Sequence, residues 1–361
     1  MREKVQLAVI KVGTSTLIGE GEEIDEAYIG ELASSIAEVK RRGVKVILVT
    51  SGAIRAGLSH LKIGDNFSLP FVQAIAAIGQ GILMRIYESA FSRHNLTIGQ
   101  VLLTHEDLAT RARFLNARNT LLSLLELGAI PIINENDTVA TEEIKFGDND
   151  ILAGMVSATV SADILLLLSD VEGLLDEKGN LIPRIDSITE EIISLAGPAG
   201  KWGRGGMKSK IEAARIATSA GVDVVIANGR EKEVIQRIIL ENESIGTYIP
   251  AKKRMRAKKQ WLTFISRPRG KVVVNEGARR AIIEEGKSLL PVGVIGVEGG
   301  FKRGDVVRII CEGKEFARGL TNYDSAELRL IMGHHSSEIE KILGYKGYEE
   351  VIHRDNLALI P

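Results

Sequence analysis

Short apolar runs alternate with amphipathic segments along the first two thirds of the chain. Residues 6–12, 44–50, 97–103, 129–133, 163–168 and 222–227 are rich in Val, Ile and Leu and end in glycine or polar residues. Runs of this length and composition predict strands buried on both faces. Between them apolar residues recur at steps of three and four: Ile29, Leu32, Ile36 and Val39, then Phe71, Ile75, Ile78, Ile82 and Ile86. Further helical segments follow over 116–127, from Ile151 through Thr159, and over 207–220. That spacing predicts helices with one buried face, with Asp25 before the first and Gly43 and Gly221 as stops. Repeated strand, helix and strand predict a parallel sheet of crossover units whose polar residues gather at the carboxyl ends of the strands.

The pattern changes near residue 251. Lys252, Lys253, Arg254, Arg256, Lys258 and Lys259 form a basic run, and from residue 270 short strands over 271–274, 292–297, 305–311 and 315–320 surround one helix over 278–285. The expectation is an α/β domain over 1–251, a basic linker over 252–270 and a small, mostly β domain over 271–361. A length of 361 residues suits two domains. With 46 basic and 47 acidic residues the net charge is −1, so no global field recruits nucleic acid or an anionic membrane. The single cysteine, Cys311, excludes an intrachain disulfide and fits a reducing compartment. The first residues enter a strand without a leader pattern, and the longest apolar run, 164–168, is too short to span a bilayer. A cytoplasmic protein without membrane contact is expected.

Candidate chemistry concentrates in residues 134–150. Asn134, Asn136 and Asp137 follow a predicted buried strand, Asp148, Asn149 and Asp150 open a helix, and residues 138–146 alternate as a short hairpin would. Asp and Asn are ordinary turn and cap residues, but two such clusters in tandem point to a ligand site. Lys11, near the end of a buried strand and followed by Gly13-Thr14-Ser15, requires a partner, and the open backbone N–H groups beside it favour a phosphate. Ser51-Gly52-Ala53 and Ser169-Asp170 end two further strands. Gly203 to Lys210 is a glycine-rich loop running into a helix, where backbone N–H groups and lysines suit a polyphosphate.

Other patterns are set aside. Gly286-Lys287-Ser288 ends a helix and has Ala281 where a Walker A loop needs glycine. His334-His335 lacks a third spaced ligand, and Arg111, Arg113 and Arg118 read as a solvated face or subunit contact. No nucleophile elbow, zinc-protease motif or paired C-x-x-C occurs. Two lysines from separate glycine-bearing loops, with carboxylates and amides between them, fit phosphoryl transfer, which needs positioning and charge neutralisation rather than a protein nucleophile.

In this order, Lys11-Val-Gly-Thr-Ser, Thr50-Ser-Gly-Ala, Asn134-Glu-Asn-Asp, Phe146-Gly-Asp-Asn-Asp, Ser169-Asp-Val-Glu-Gly-Leu and Gly205-Gly-Met-Lys-Ser-Lys resemble the glutamate 5-kinase branch of the amino acid kinase family. Val274-Asn-Glu-Gly-Ala, Ser288-Leu-Leu-Pro and Gly333-His-His-Ser resemble the PUA domain often appended to it. The resemblance implies a three-layer αβα kinase domain with a mainly parallel sheet of about eight strands, and phosphorylation of the L-glutamate γ-carboxylate by ATP, the opening step of proline synthesis. It implies Lys11 and Lys210 on the phosphates, with Asp150 holding both. Ser51, Asp137 and Asn149 would bind glutamate, with Gly52, Ala53, Asn134 and Asp148 close by. Gly13, Ser169, Asp170 and the loop Arg204, Gly205, Gly206, Met207, Lys208, Ser209 and Lys210 would hold the nucleotide, although Arg204 and Lys208 stand where related chains can have small polar residues. Mg²⁺ would arrive on ATP without a protein site of its own. Proline as feedback inhibitor, a homo-oligomer (dimer or tetramer), a glutamyl phosphate reductase as partner and RNA contact through the PUA domain are further implications. Aspartate, N-acetylglutamate, carbamate and uridylate kinases share the fold.

Overall fold

Strand β1 (Leu7–Val12) lies near the middle of a seven-stranded sheet in a computed structural model that describes residues 4–19, 23–64, 67–139, 149–196, 206–251, 262, 266–345 and 347–360. The chain divides into two compact units, Met1–Arg254 and Met255–Pro361.

In the first unit β1 is followed by α1 (Thr14–Leu17), α2 (Glu26–Arg41), β2 (Lys45–Val49), α3 (Ala53–Leu61), α4 (Leu69–Ser92), β3 (Ile98–Leu103), α5 (His105–Ala109), α6 (Arg111–Glu126) and β4 (Ile130–Glu135). After a single turn at Asp137–Val139 come α7 (Asn149–Val160), β5 (Ile164–Ser169), α8 (Glu190–Leu195), α9 (Met207–Ser219), β6 (Asp223–Asn228), α10 (Val234–Ile239) and β7 (Thr247–Ile249). The sheet order is β3-β4-β2-β1-β5-β6-β7. All pairings are parallel except β6 with β7, which is antiparallel. From β1 the chain moves outward through β2 and returns to β5 on the other side of β1. The carboxyl ends of β1 and β5 therefore flank the switch point where open α/β sheets bind ligands.

The alternation of strand side chains sorts β1 into two faces. Ala8, Ile10 and Val12 join Ile29, Leu32 and Ile36 of α2, Leu83, Tyr87 and Phe91 of α4, and Ile235 and Ile238 of α10 in one core. Val9 and Lys11 face the other way, towards α7. Every residue of α7 from Leu152 to Val160 is buried, the mark of a helix enclosed on all sides. It packs against α9 closely enough that a Cβ on Gly154 would lie 2.7 Å from the Ala213 carbonyl oxygen. Asp150 and Lys210 each sit one turn nearer their helix N-terminus on the contacting faces, so this crossing fixes their separation.

Several expectations are corrected. Helix α4 buries Ile75, Ala76, Gly79, Gln80, Leu83 and Tyr87, whereas Phe71 is 63% and Ile78 43% exposed. Close contact with α3 turned the helix: a Cβ on Gly79 would lie 1.8 Å from the Ala53 oxygen, so the small residue defines the inward face. By length and composition α4 could cross a membrane, which the length of the longest apolar run does not reveal, with 28% of its most apolar window buried. The first unit's strand series ends at β7, not β6, and seven strands are described rather than about eight. Residues 137–139 form a turn in place of the start of a hairpin. The rest of that hairpin, residues 140–146, lies outside the described residues, as does most of the basic linker.

The second unit holds a five-stranded sheet in the order β12-β11-β10-β8-β9, formed by β8 (Gly270–Val274), β9 (Val294–Gly299), β10 (Val306–Cys311), β11 (Lys314–Leu320) and β12 (Leu357–Leu359). Three α-helices are found among its described residues rather than one, α11 (Glu276–Ile283), α12 (Ser325–Ile331) and α13 (Ile339–Leu343), with a core that includes Val272, Val307, Ile309, Leu328 and Cys311. Strand β9 begins later than expected because Pro291, which lacks an N–H, starts a single turn first.

Replacing Gly154 with Ala is expected to lower unfolding free energy by about 1–3 kcal/mol, the usual range for overpacking. Chemical denaturation reads this directly, and an unchanged midpoint would mean that α7 and α9 separate without strain.

Candidate active site

Six parallel strands of the first unit end on one edge of the sheet, and the candidate residues follow those ends. At the centre is Asp150, which has no exposed surface. Its Oδ1 contacts Lys11 Nζ, and its Oδ2 accepts from Lys210 Nζ at 3.0 Å and from Ser209 Oγ at 3.0 Å. Both lysines are 5% exposed. Lys11 comes from β1, where it is level with Val49 of β2 and Leu167 of β5, so it is a central-strand residue and not one reaching solvent from an edge.

Burial by itself would push the Asp150 carboxyl up; the Lys11 and Lys210 ammonium groups outweigh that and hold it below the ordinary carboxylate value. Asp150 also lies in the first turn of α7, where the helix dipole favours an anion. Lys210 lies one turn into α9, where a cation opposes the dipole and Asp150 offsets it.

The residue before Asp150 belongs to a second cluster. Asn149 Nδ2 donates to Ser51 Oγ and to Asn134 Oδ1, both at 3.1 Å. Asn134 Nδ2 donates to Gln80 Oε1 at 2.8 Å, and Asn134 Oδ1 accepts from the Glu135 backbone N–H at 2.9 Å. Ser51, Gln80 and Asn134 are buried. Gly52, with φ of 96°, makes the left-handed turn from the end of β2 into α3, whose first residue is Ala53. A hydrogen bond of 2.7 Å between Thr50 Oγ1 and Tyr87 OH ties that turn to α4. Asp137 is half-buried at the start of the turn after β4. Asp148 lies outside the described residues.

Among the residues expected at the nucleotide, Gly13 donates its N–H to Leu168 O at 3.3 Å, so that amide is committed to the sheet rather than open to a phosphate. Thr14 and Ser15 follow in the first turn of α1, where N–H groups lack intrahelical acceptors. A Cβ on Gly13 would lie 3.4 Å from Lys11 Nζ, so glycine keeps the approach to that ammonium open. Ser169 ends β5 and donates through Oγ to Asp170 Oδ1 at 3.0 Å; Asp170 is exposed. Gly206 precedes α9 without a side-chain cap, leaving the first backbone N–H groups of that helix for an anion. Met207 is half-buried and Lys208 exposed; Arg204 and Gly205 lie outside the described residues. These features fit a polyphosphate. Among the described residues no group of three or more His, Cys, Asp and Glu side chains converges as a metal site.

Two contributors lay outside the sequence reading. Gln80 is an amide between two glycines in a mostly apolar stretch of α4, a signal that polarity alone made visible. Arg230 is placed by the end of β6, and donates to Thr16 O at 2.8 Å, Ile18 O at 2.9 Å and Asp25 Oδ2 at 2.6 Å while lying over the Tyr28 ring. It thereby pins the segment that leaves β1. No local pattern marks an arginine whose partners are some two hundred residues away.

Residues 6–228 match the amino acid kinase family, and residues 270–343 match the PUA domain. Proteins named glutamate 5-kinase are similar over nearly the whole chain. That of Syntrophotalea carbinolica is 48% identical, with 99% of this chain and 98% of that protein covered. That of Trichlorobacter lovleyi is 47% identical at the same coverages, and that of Moorella thermoacetica 47% identical with 98% and 96% covered. With a family match over more than half its length and full-length relatives at nearly half identity, the chain belongs to the amino acid kinase family and carries a PUA domain.

Proposed function

We propose that this protein transfers the γ-phosphoryl group of ATP to the side-chain carboxylate of L-glutamate, giving L-glutamyl 5-phosphate and ADP. The observation that carries the reading is the adjacency of Asn149 and Asp150. One side chain enters the amide cluster and the next enters the lysine cluster, so one helical turn joins an acceptor site to a phosphate site. The relatives' names support glutamate as the acceptor.

The chemistry needs little beyond this arrangement. A glutamate side chain is ionised at neutral pH, its ordinary pKa being about 4.3, so it attacks phosphorus without a general base. Charge spreads over the phosphoryl oxygens in the transition state. Lys11 and Lys210 meet that charge, and Asp150 keeps their ammonium groups aimed. Lys11, Lys210 and Asp150 together sum to one positive charge, the sign a transferring phosphoryl group requires. The start of α9 and the Ser169-Asp170 end of β5 hold the nucleotide, and a Mg²⁺ ion carried on its phosphates supplies further neutralisation when bound. Ser51, Asn134 and Asn149 orient the amino acid, with Asp137 as the anion for its ammonium group. The exposed Phe71 and Ile78, two turns apart on one face of α4, support a homo-oligomer.

The direct test is ADP release with Mg-ATP and glutamate, aspartate, N-acetylglutamate or UMP, with hydroxylamine to trap an acyl phosphate. Glutamate-dependent hydroxamate is expected; turnover of another acceptor alone would keep the fold and overturn the substrate. Lys210→Ala is expected to reduce kcat by about a hundredfold or more while leaving the far-UV spectrum intact, as when a donor to transition-state charge is removed. Near-normal turnover would remove Lys210 from the mechanism.

Asp150 adds a pH signature. A carboxyl held below its unfolded value of about 3.9 contributes stability in full above that pH and loses it as pH falls towards the folded value. The stability difference between wild type and Asp150→Asn is therefore expected to be level from neutral pH to about pH 5 and to shrink below about pH 4. Denaturation midpoints across that range check it, and a difference that grew on acidification would contradict the charge assignment.

A further inference from the structure

The amide cluster has a direction, and Gln80 stands at its head. The backbone N–H of Glu135 can only donate, so the atom of Asn134 that faces it at 2.9 Å is the oxygen. Asn134 must then turn its NH₂ group to Gln80, which answers with Oε1 at 2.8 Å. The same Asn134 oxygen receives Asn149 Nδ2, which also reaches Ser51 Oγ. Four side chains from α4, β4, α7 and the end of β2 thus form one chain of fixed donors and acceptors.

Among the described residues this chain is unfinished: Gln80 Nε2 and Asn149 Oδ1 are buried and find no hydrogen-bond partner there. Folded proteins retain few such atoms. An apolar residue at position 80 would suit the contact between α4 and the sheet without an unsatisfied donor. The glutamine is therefore poorly explained by packing, and the hydrogen bond its side chain makes among the described residues is to the Asn134 amide. Gly79 beside it lets α4 press onto α3, immediately after Ser51 and Gly52, which brings position 80 within reach of β4.

We propose that Gln80 is a positioning residue for the amino acid acceptor. It holds the Asn134 amide in one orientation, and Asn134 in turn sets Asn149 and Ser51 for the substrate. This rests on the reading of that cluster as the glutamate site. Gln80 acts on substrate affinity through Asn134 and has no part in holding the nucleotide.

The test is steady-state kinetics of the full-length protein with Gln80→Met, which removes the amide while keeping the volume, alone and combined with Asn134→Ala. In the single variant the KM for glutamate is expected to rise about tenfold or more, with kcat within about threefold and the KM for ATP within about twofold of wild type. In the Asn134→Ala background the same change is expected to add less than about twofold, because effects exerted through one partner are not additive. Where turnover of the double variant is too slow, calorimetric glutamate binding supplies the comparison. Should Gln80→Met not fold, Gln80→Ala removes the same oxygen in a residue helices accept.

A glutamate KM within about twofold of wild type would overturn the proposal, as would equal rises for glutamate and ATP, or effects of the two substitutions that simply multiply. Wild-type enzyme measured alongside separates the two readings. Failure of the wild type to use glutamate sinks the functional assignment, whereas active wild type with an indifferent Gln80→Met variant sinks only the role of Gln80.

Discussion

The buried carboxylate of Asp150, held between two ammonium groups, is the interaction on which the rest of the kinase domain depends. An isolated ion taken from water into a protein interior costs several kcal/mol, so each of these buried charges is tolerated because an opposite one lies beside it. Their partnership demands that β1, α7 and α9 meet at one point. The central place of β1 supplies Lys11, and the close crossing at Gly154 and Ala213 supplies Asp150 opposite Lys210. A buried ion cluster of this kind is weak support for stability, since apolar residues of similar volume often do as well. Its retention is better understood as preorganised charge, already oriented before a phosphoryl group arrives.

The first turn of α7 also joins two kinds of recognition. Amides and a hydroxyl form the hydrogen-bonded cluster around Asn149, while a carboxylate and two ammonium groups form the cluster around Asp150. Neutral hydrogen bonds suit a substrate whose orientation must be specified, and fixed charges suit a group whose charge distribution changes during reaction. Keeping both on one helical turn lets the rigid sheet set their relative position, where a loop would leave it variable. The helix N-termini of α7 and α9 open at the same place and add partial positive charge there.

The second unit has its own sheet and core. Lys287 of the rejected phosphate-loop pattern pairs with Glu285, and His334 lies near Glu338. Both act as surface residues of a small domain. Cys311 is buried in the domain's core, and burial raises its thiol above the ordinary value, with Glu276 adding to the effect, so it is an unreactive packing residue.

Much of this protein was legible in its residues. Apolar runs identified the six parallel strands, the inner ones because a strand buried on both faces must be apolar throughout, although β3 at the sheet edge is only partly buried, and the order of lysines, amides and glycines was sufficient for the family resemblance. Lys11 and Lys210 could be singled out because a lysine in a buried strand or at a helix start contradicts its surroundings. The short strand β7 escaped notice because an edge strand needs only the pairing that β6 offers. Helix α4 was recognised by its period, and Ile75, Ile82 and Ile86 do meet the core, but its buried face is rotated away from Phe71 and Ile78 because contact at Gly79 selects it. Gln80 and Arg230 could not be assigned from position alone, as their partners are distant in sequence. Periodicity and composition report what each segment can bury and are local. Which side chains then share a hydrogen bond or a charge depends on strand order and helix crossing, and those exist only once the chain has closed on itself.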